Sequence, residues 1–189
     1  MALIVVGGQA KHVGKTTLVC EIIRHFGNVR WTAAKITSHS HDPEQCVRVA
    51  SGPGWTMWQQ SAGDSRVDTA RYLNAGATRS LFLCAESESL ARACAALKME
   101  LSACGAAIVE STAGAKLLAP DLFLLVVNPA SDKIKASASE PLARAHAVVV
   151  NTDAEMSTGV EFPNRMLTFS TLKNGIDVRL ADMIQELLR

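Results

Sequence analysis

Short apolar runs alternate with amphipathic segments along most of this chain. Ala2–Gly7 is continuously apolar and closed by Gly7-Gly8, the pattern of a strand buried on both faces. From Lys15 to Phe26 the period changes: Leu18, Val19, Ile22, Ile23 and Phe26 recur at helical spacing, and Gly27-Asn28 stops the run. Trp31–Thr37 predicts a strand, Asp68–Ala75 a short helix ended by Gly76, and Arg79–Ala85 another strand. Leu90, Cys94, Leu97 and Leu101 put one apolar stripe on a helix over Ser89–Cys104. Ala106–Glu110, Leu122–Val127 and Ala147–Val150 read as further strands, and Leu180, Met183, Ile184, Leu187 and Leu188 as the stripe of a closing helix. Strands that are apolar throughout and alternate with helices predict an α/β fold, a mostly parallel central sheet of about six or seven strands with helices on both faces.

Two stretches break the alternation. Ser38–Gly63, which contains Gly52, Pro53, Gly54, Trp55 and Trp58, has the composition of a long loop, and Ser111–Pro120 is a second loop of small and polar residues. Both follow strands, so both are expected at the carboxyl ends of the sheet, where open α/β sheets bind ligands. Trp55 and Trp58 can close over a ligand, form a protein contact, or pack against the body of the domain.

Length and charge narrow the classes. The 189 residues fit a single domain, 1–189, against a usual size of roughly 100–200 residues. Nineteen Lys and Arg against eighteen Asp and Glu leave a formal charge of +1, which excludes binding of nucleic acid or an anionic membrane through bulk charge. A localised anion site is compatible with it. No apolar run approaches the ~18 residues that span a bilayer, and the N-terminal run has no basic region ahead of it, so it does not read as a signal peptide. The five cysteines form no CxxC pair. A reduced, cytoplasmic protein without structural zinc is the expectation.

The sharpest chemical signal is Gly14-Lys15-Thr16-Thr17, placed between the first strand and the first helix. Glycine lets the backbone approach phosphate, while successive amides and the helix N-terminus present partial positive charge to it. Lys15 can reach the outer phosphate oxygens, and the Thr16 hydroxyl can ligate Mg²⁺. Gln9 stands where the usual spacing puts a glycine, so the loop is expected to be longer by one residue or to enter by a different turn. Lys11 and His12 either touch phosphate or face solvent.

Such a loop needs a carboxylate near the metal. Glu110, at the end of a strand, is the first candidate for a direct or water-mediated Mg²⁺ contact, and with Lys15 it forms the candidate catalytic pair. Asp42 and Asp68 come next; Asp68 equally suits an N-cap of its helix. His39 and His41, with Asp42 beside them, fit a transition-metal site, a phosphate contact, or no specific role. Asn151 and Asp153 end a late strand with groups that can read a purine edge. The guanine-reading pattern N-K-x-D has its Asp three residues after the Asn, whereas Asp153 follows Asn151 by two, and a plain turn suits the same residues.

Together, Val5–Leu18 (VVGGQAKHVGKTTL), Ala34–Asp42 (AKITSHSHD), Asp68–Ala77 (DTARYLNAGA) and Ile108–Glu110 (IVE) resemble, in type and order, the MobB-like family. These are nucleotide-binding adaptors of molybdopterin guanine dinucleotide biosynthesis, similar in fold to dethiobiotin synthetase. The resemblance implies GTP binding, a homodimer, and assistance to a partner guanylyltransferase. It nominates Gly14, Lys15, Thr16 and Thr17 for phosphate and Mg²⁺, Glu110 for the metal, and Lys35, His39 and His41 for the loop beside the cleft. Three functions fit the chain: a GTP-binding accessory factor with slow turnover, a small-molecule kinase or ATP-dependent ligase, and a P-loop domain that uses nucleotide as a switch or not at all.

Overall fold

The computed structural model describes residues 1–38, 45–61, 66–128, 136–151, 166–169 and 175–189. Among these, nine strands form one sheet: β1 (Ala2–Gly8), β2 (Trp31–Thr37), β3 (Cys46–Gly52), β4 (Trp55–Gln60), β5 (Arg79–Ala85), β6 (Ala106–Glu110), β7 (Leu122–Val127), β8 (Ala147–Asn151) and β9 (Met166–Phe169). Their order across the sheet is β3-β4-β5-β2-β6-β1-β7-β8-β9. All pairs from β5 to β9 are parallel, and β3–β4 and β4–β5 are antiparallel.

Among the described residues six α-helices accompany the strands: α1 (Lys15–His25), α2 (Asp68–Asn74), α3 (Leu90–Leu101), α4 (Ala115–Leu118), α5 (Ala136–Arg144) and α6 (Val178–Leu187). The strands sort their side chains with a period of two. Ile4, Val6, Ala33, Ile108, Leu124 and Val149 point to one face and pack with α1, α2 and α6, through Leu18, Ile22, Tyr72, Leu180 and Ile184. Leu3, Val5, Ala34, Val109, Leu125 and Val148 point to the other and meet α3 and α4 through Ala93, Leu97, Leu101 and Leu118. This is the expected α/β architecture, with both faces of the sheet covered.

The N-terminal half agrees with the hydrophobic pattern to within a residue or two at each end, except in one region. Residues 45–61, expected to lie within a loop, form the β3–β4 hairpin, which extends the sheet antiparallel beyond β5. Its turn carries Pro53 and then Gly54 at φ 73, the Pro-Gly signature of a type II turn. Trp55 packs against the core on the α3 face, and the Trp58 ring lies 5.7 Å from that of Phe82. Both tryptophans pack against the body of the protein, one of the three roles open to them from the sequence. The second expected loop contains α4, whose approach is fixed by the Gly114 amide donating to Ser111 Oγ at 2.9 Å. No disulfide joins any of the five cysteines.

A Cβ at position 54 would run into the Ser89 hydroxyl, and the backbone there is left-handed. Gly54→Ala is therefore expected to destabilise the fold by more than about 1 kcal/mol, read as a lower urea midpoint at unchanged slope. A neutral substitution would contradict the turn geometry.

Candidate functional site

β1, β6 and β2 lie side by side, and their carboxyl ends define the floor of a cleft. β1 ends at Gly8, where the chain must turn steeply into α1. A Cβ on Gly8 would meet the Lys15 side chain at 2.7 Å, so only glycine lets this lysine fold back over the strand end. The Thr112 hydroxyl fastens the same residue from the β6 side, accepting from the Gly8 amide at 2.8 Å and donating to its carbonyl at 3.1 Å. Gln9 is buried just past the strand, its backbone amide donating to the Val126 carbonyl at 2.9 Å while its side-chain Oε1 accepts from the Asn128 amide at 3.3 Å. The loop then enters through a β7 contact instead of a glycine turn. Gly14, at φ 104, is the left-handed N-cap of α1. Thr16 and Thr17 lie in the helix's first turn.

Lys15 Nζ donates to the Ala10 carbonyl at 2.7 Å. Burial lowers its pKa below the ordinary lysine value, a shift opposed by Glu110 and Asp68 and assisted by Lys35. A half-desolvated cation held by one neutral carbonyl is suited to an incoming anion.

Glu110 is only 4% exposed, so its carboxylate depends on neighbouring donors. Thr16 Oγ1 donates to Oε2 at 2.7 Å, the Tyr72 hydroxyl donates to the same oxygen at 2.5 Å, and Lys35 Nζ donates to Oε1 at 3.3 Å. Parallel register explains the lysine: Lys35 on β2 pairs with Glu110 on β6, so both side chains leave the same face of the sheet. α2 covers that face. Its Asp68 accepts from Lys35 Nζ and lies 3.6 Å from the Arg71 guanidinium, which also reaches Thr17 Oγ1 at 3.5 Å. Asp68 is the first helical residue, behind an N-cap at Val67 with no side-chain cap, so ion pairing, not capping, occupies its carboxylate. Burial alone would lower the Lys35 pKa, but the Glu110 and Asp68 carboxylates more than offset that and hold it above the ordinary value.

Around this cluster lies a cavity of about 940 Å³, lined by the loop with Lys11 and His12, by Gly14–Thr17, and by Lys35, Arg71 and Glu110 among others. Four sequence candidates, Gly14, Lys15, Thr16 and Thr17, therefore share one cleft with Glu110. Asn151 is the last residue of β8. Asp42, Asp153, His39 and His41 lie outside the described residues. Among the described residues no cluster of three or more His, Cys, Asp and Glu is arranged for a metal, and no helix is long and apolar enough to cross a membrane. The sequence reading missed Tyr72 and Arg71. Their signal was the spacing: Asp68 and Tyr72 are four apart on a short helix and so share a face.

No family model and no curated protein matches the chain. Among solved structures, the hydrogenase maturation factor HypB from Archaeoglobus fulgidus superposes on 100% of this chain and 91% of its own, with a TM-score of 0.66 and 15% identity. A MobB protein homolog from Bacillus stearothermophilus aligns with 99% of this chain and 98% of its own at a TM-score of 0.43 and 17% identity. The first of these shares the fold of this chain, a mostly parallel α/β sheet covered by helices on both faces. At such identity the likeness concerns the fold alone.

The chain has a single tyrosine, which makes its titration selective. Burial, then the Glu110 carboxylate, raises the Tyr72 pKa well above 10.0. The folded state keeps a proton that the unfolded chain releases near pH 10, so this contribution to stability is complete below about pH 10 and is lost as the pH rises further. Lys35, also raised, acts in the same sense from its own ordinary value of 10.5. Phenolate absorbance is expected to appear only together with alkaline unfolding; a normal tyrosine titration with circular dichroism unchanged would contradict the buried geometry.

Proposed function

We propose that this protein binds a nucleoside triphosphate with Mg²⁺ in the β1–β6–β2 cleft, favours GTP, turns it over slowly, and serves as an accessory factor to a guanylyltransferase of molybdenum cofactor biosynthesis. One observation carries the nucleotide reading: Lys15 and the Thr16–Glu110 pair converge at the N-terminus of α1. In this role Gly14 and the first amides of α1 cradle the β-phosphate, Lys15 exchanges the Ala10 carbonyl for phosphate oxygens, and Thr17 supports the loop. Thr16 and Glu110 present hard oxygen donors of the kind Mg²⁺ prefers and would hold the cation beside the phosphates. Bound there, Mg²⁺ neutralises charge on the outer phosphates.

The slow turnover is inferred from the carboxylates. Glu110 already accepts from Thr16, Tyr72 and Lys35, and Asp68 is paired with Lys35 and Arg71. Neither is poised to take a proton from water or from an acceptor hydroxyl, and a positioned general base is worth about 10²–10⁴ in rate. Preference for GTP rests on Asn151 and Asp153 as groups that read a purine edge. The accessory role, a homodimer, and a place for Asp42 near the metal rest on the MobB-like resemblance.

The cavity favours a second reading, because it reaches past the phosphate loop to Ala85, Ser87 and Leu90 beyond the end of β5, where a small acceptor would fit. That is the arrangement of a small-molecule kinase or an ATP-dependent ligase of the dethiobiotin synthetase type. Parallel calorimetric titrations with GTP and ATP, a pull-down with the guanylyltransferase, and a metabolite screen for γ-phosphate transfer separate the two. The accessory reading expects GTP preference, a retained partner and no acceptor; transfer to one metabolite with no retained partner would replace it with the kinase.

Lys15→Ala tests the site itself. Loss of charge-assisted bonds is worth about 1.5–3 kcal/mol, so affinity for Mg²⁺-nucleotide is expected to fall roughly 10- to 150-fold with the melting temperature nearly unchanged. Equal affinity in the variant would remove the phosphate-loop assignment.

A further inference from the structure

We propose that Tyr72 is a positioning residue for the metal site: acting through Glu110, its hydroxyl keeps the Thr16 proton turned toward the carboxylate and so leaves the Thr16 lone pairs open to Mg²⁺. The proposal rests on the reading of Thr16 and Glu110 as the Mg²⁺ site.

A threonine hydroxyl has one proton and two lone pairs, so it binds a cation well only when its proton is committed elsewhere. In this protein that proton goes to Glu110 Oε2. Whether it stays there depends on the carboxylate plane, and the last torsion of a glutamate is broad, without the sharp wells of the inner ones. Something must stop the rotation. The Lys35 bond to Oε1, at 3.3 Å, is long, and that ammonium is shared with Asp68. The Tyr72 bond to Oε2, at 2.5 Å, is short, and its acceptor is ionic.

Tyr72 is built to hold still. Its ring is fully buried in the core beneath α1 and α2, with a flat side chain that has few rotamers to explore. It does not line the cavity, whereas Thr16, Lys35, Asp68 and Glu110 do. The phenol therefore stands behind the carboxylate, out of reach of any nucleotide, and can act only by orienting Glu110. α2 thus grips both carboxylate oxygens, Oε2 through Tyr72 and Oε1 through Asp68 and Lys35. A phenylalanine would fill the same space and leave Oε2 with Thr16 alone.

The test is Tyr72→Phe, alone and combined with Glu110→Gln, with GTP affinity measured by calorimetry in Mg²⁺ and in EDTA. Wild type should bind GTP more tightly in Mg²⁺; if it does not, the Mg²⁺ reading fails and the proposal with it. If it does, Y72F is expected to lose roughly tenfold of the Mg²⁺-dependent affinity and none of the affinity in EDTA. In the E110Q background Y72F should add no further loss, the signature of two residues acting through one contact. Equal losses in Mg²⁺ and EDTA, or a full additional loss in E110Q, would reduce Tyr72 to a packing residue while leaving the Mg²⁺ site intact. Should Y72F fail to fold, fluorotyrosine labels the wild-type chain at this one position. Its fluorine resonance should move when Mg²⁺ is added to the GTP complex, and not in E110Q; a resonance indifferent to Mg²⁺ would overturn the proposal.

Discussion

A carboxylate buried at the end of an interior strand organises this molecule. Glu110 has little access to water, and a buried charge stripped of its partners costs about 3–5 kcal/mol. Its partners come from three places distant in sequence: Thr16 after β1, Lys35 on β2 and Tyr72 on α2. Satisfying one side chain therefore fixes how β1, β2 and β6 are stacked and how closely α2 lies against them. The same bonds hold the entry to α1, because Thr16 belongs to its first turn. Packing of the two core layers supplies the bulk of the stability, but it is indifferent to where a charge sits. The carboxylate's need for donors gives the end of the sheet a defined geometry.

The apolar pattern made the sheet legible because a parallel interior strand leaves a continuous hydrophobic run. Ala2–Gly7 and Leu122–Val127 are of this kind, and their bounds in the structure match the pattern nearly residue for residue. The β3–β4 hairpin was not legible for the same reason. As an edge strand β3 buries little, leaving Val47 62% exposed and Arg48 facing outward, so it carries no apolar run. Gly52-Pro53-Gly54 dominates its composition and reads as loop, although Pro-Gly between extended segments is also a turn. A hairpin at an edge differs from a loop in backbone pairing, to which side-chain hydrophobicity is nearly blind.

At the site, the loop residues were legible because Gly14-Lys15-Thr16 has a fixed order along the chain. Glu110 was legible as a polar residue closing an apolar strand. The roles of Tyr72 and Arg71 were not, since a tyrosine in an amphipathic helix carries the same hydrophobic signal whether its hydroxyl meets water or a carboxylate. Asp68 was misleading in the opposite direction. An aspartate at the start of a helix usually caps it, but Lys35 stands across from it and offers a charged donor in place of backbone amides.

The near-neutral chain and its cationic cleft are consistent with each other once charge is counted locally. Lys11, Lys15, Lys35, Arg66 and Arg71 line the cavity, against Asp68 and Glu110. The pairing is uneven: Asp68 and Glu110 engage Lys35, and Asp68 also Arg71, while Lys15 is left with a neutral carbonyl. Lys35 thus screens the two carboxylates from the phosphate-binding side, and without it both would repel an incoming anion across a low-dielectric cleft. Among the described residues that line the cleft, both acids, Asp68 and Glu110, are committed to a cation or a hydroxyl, and releasing either would expose Lys15 to an unshielded negative charge.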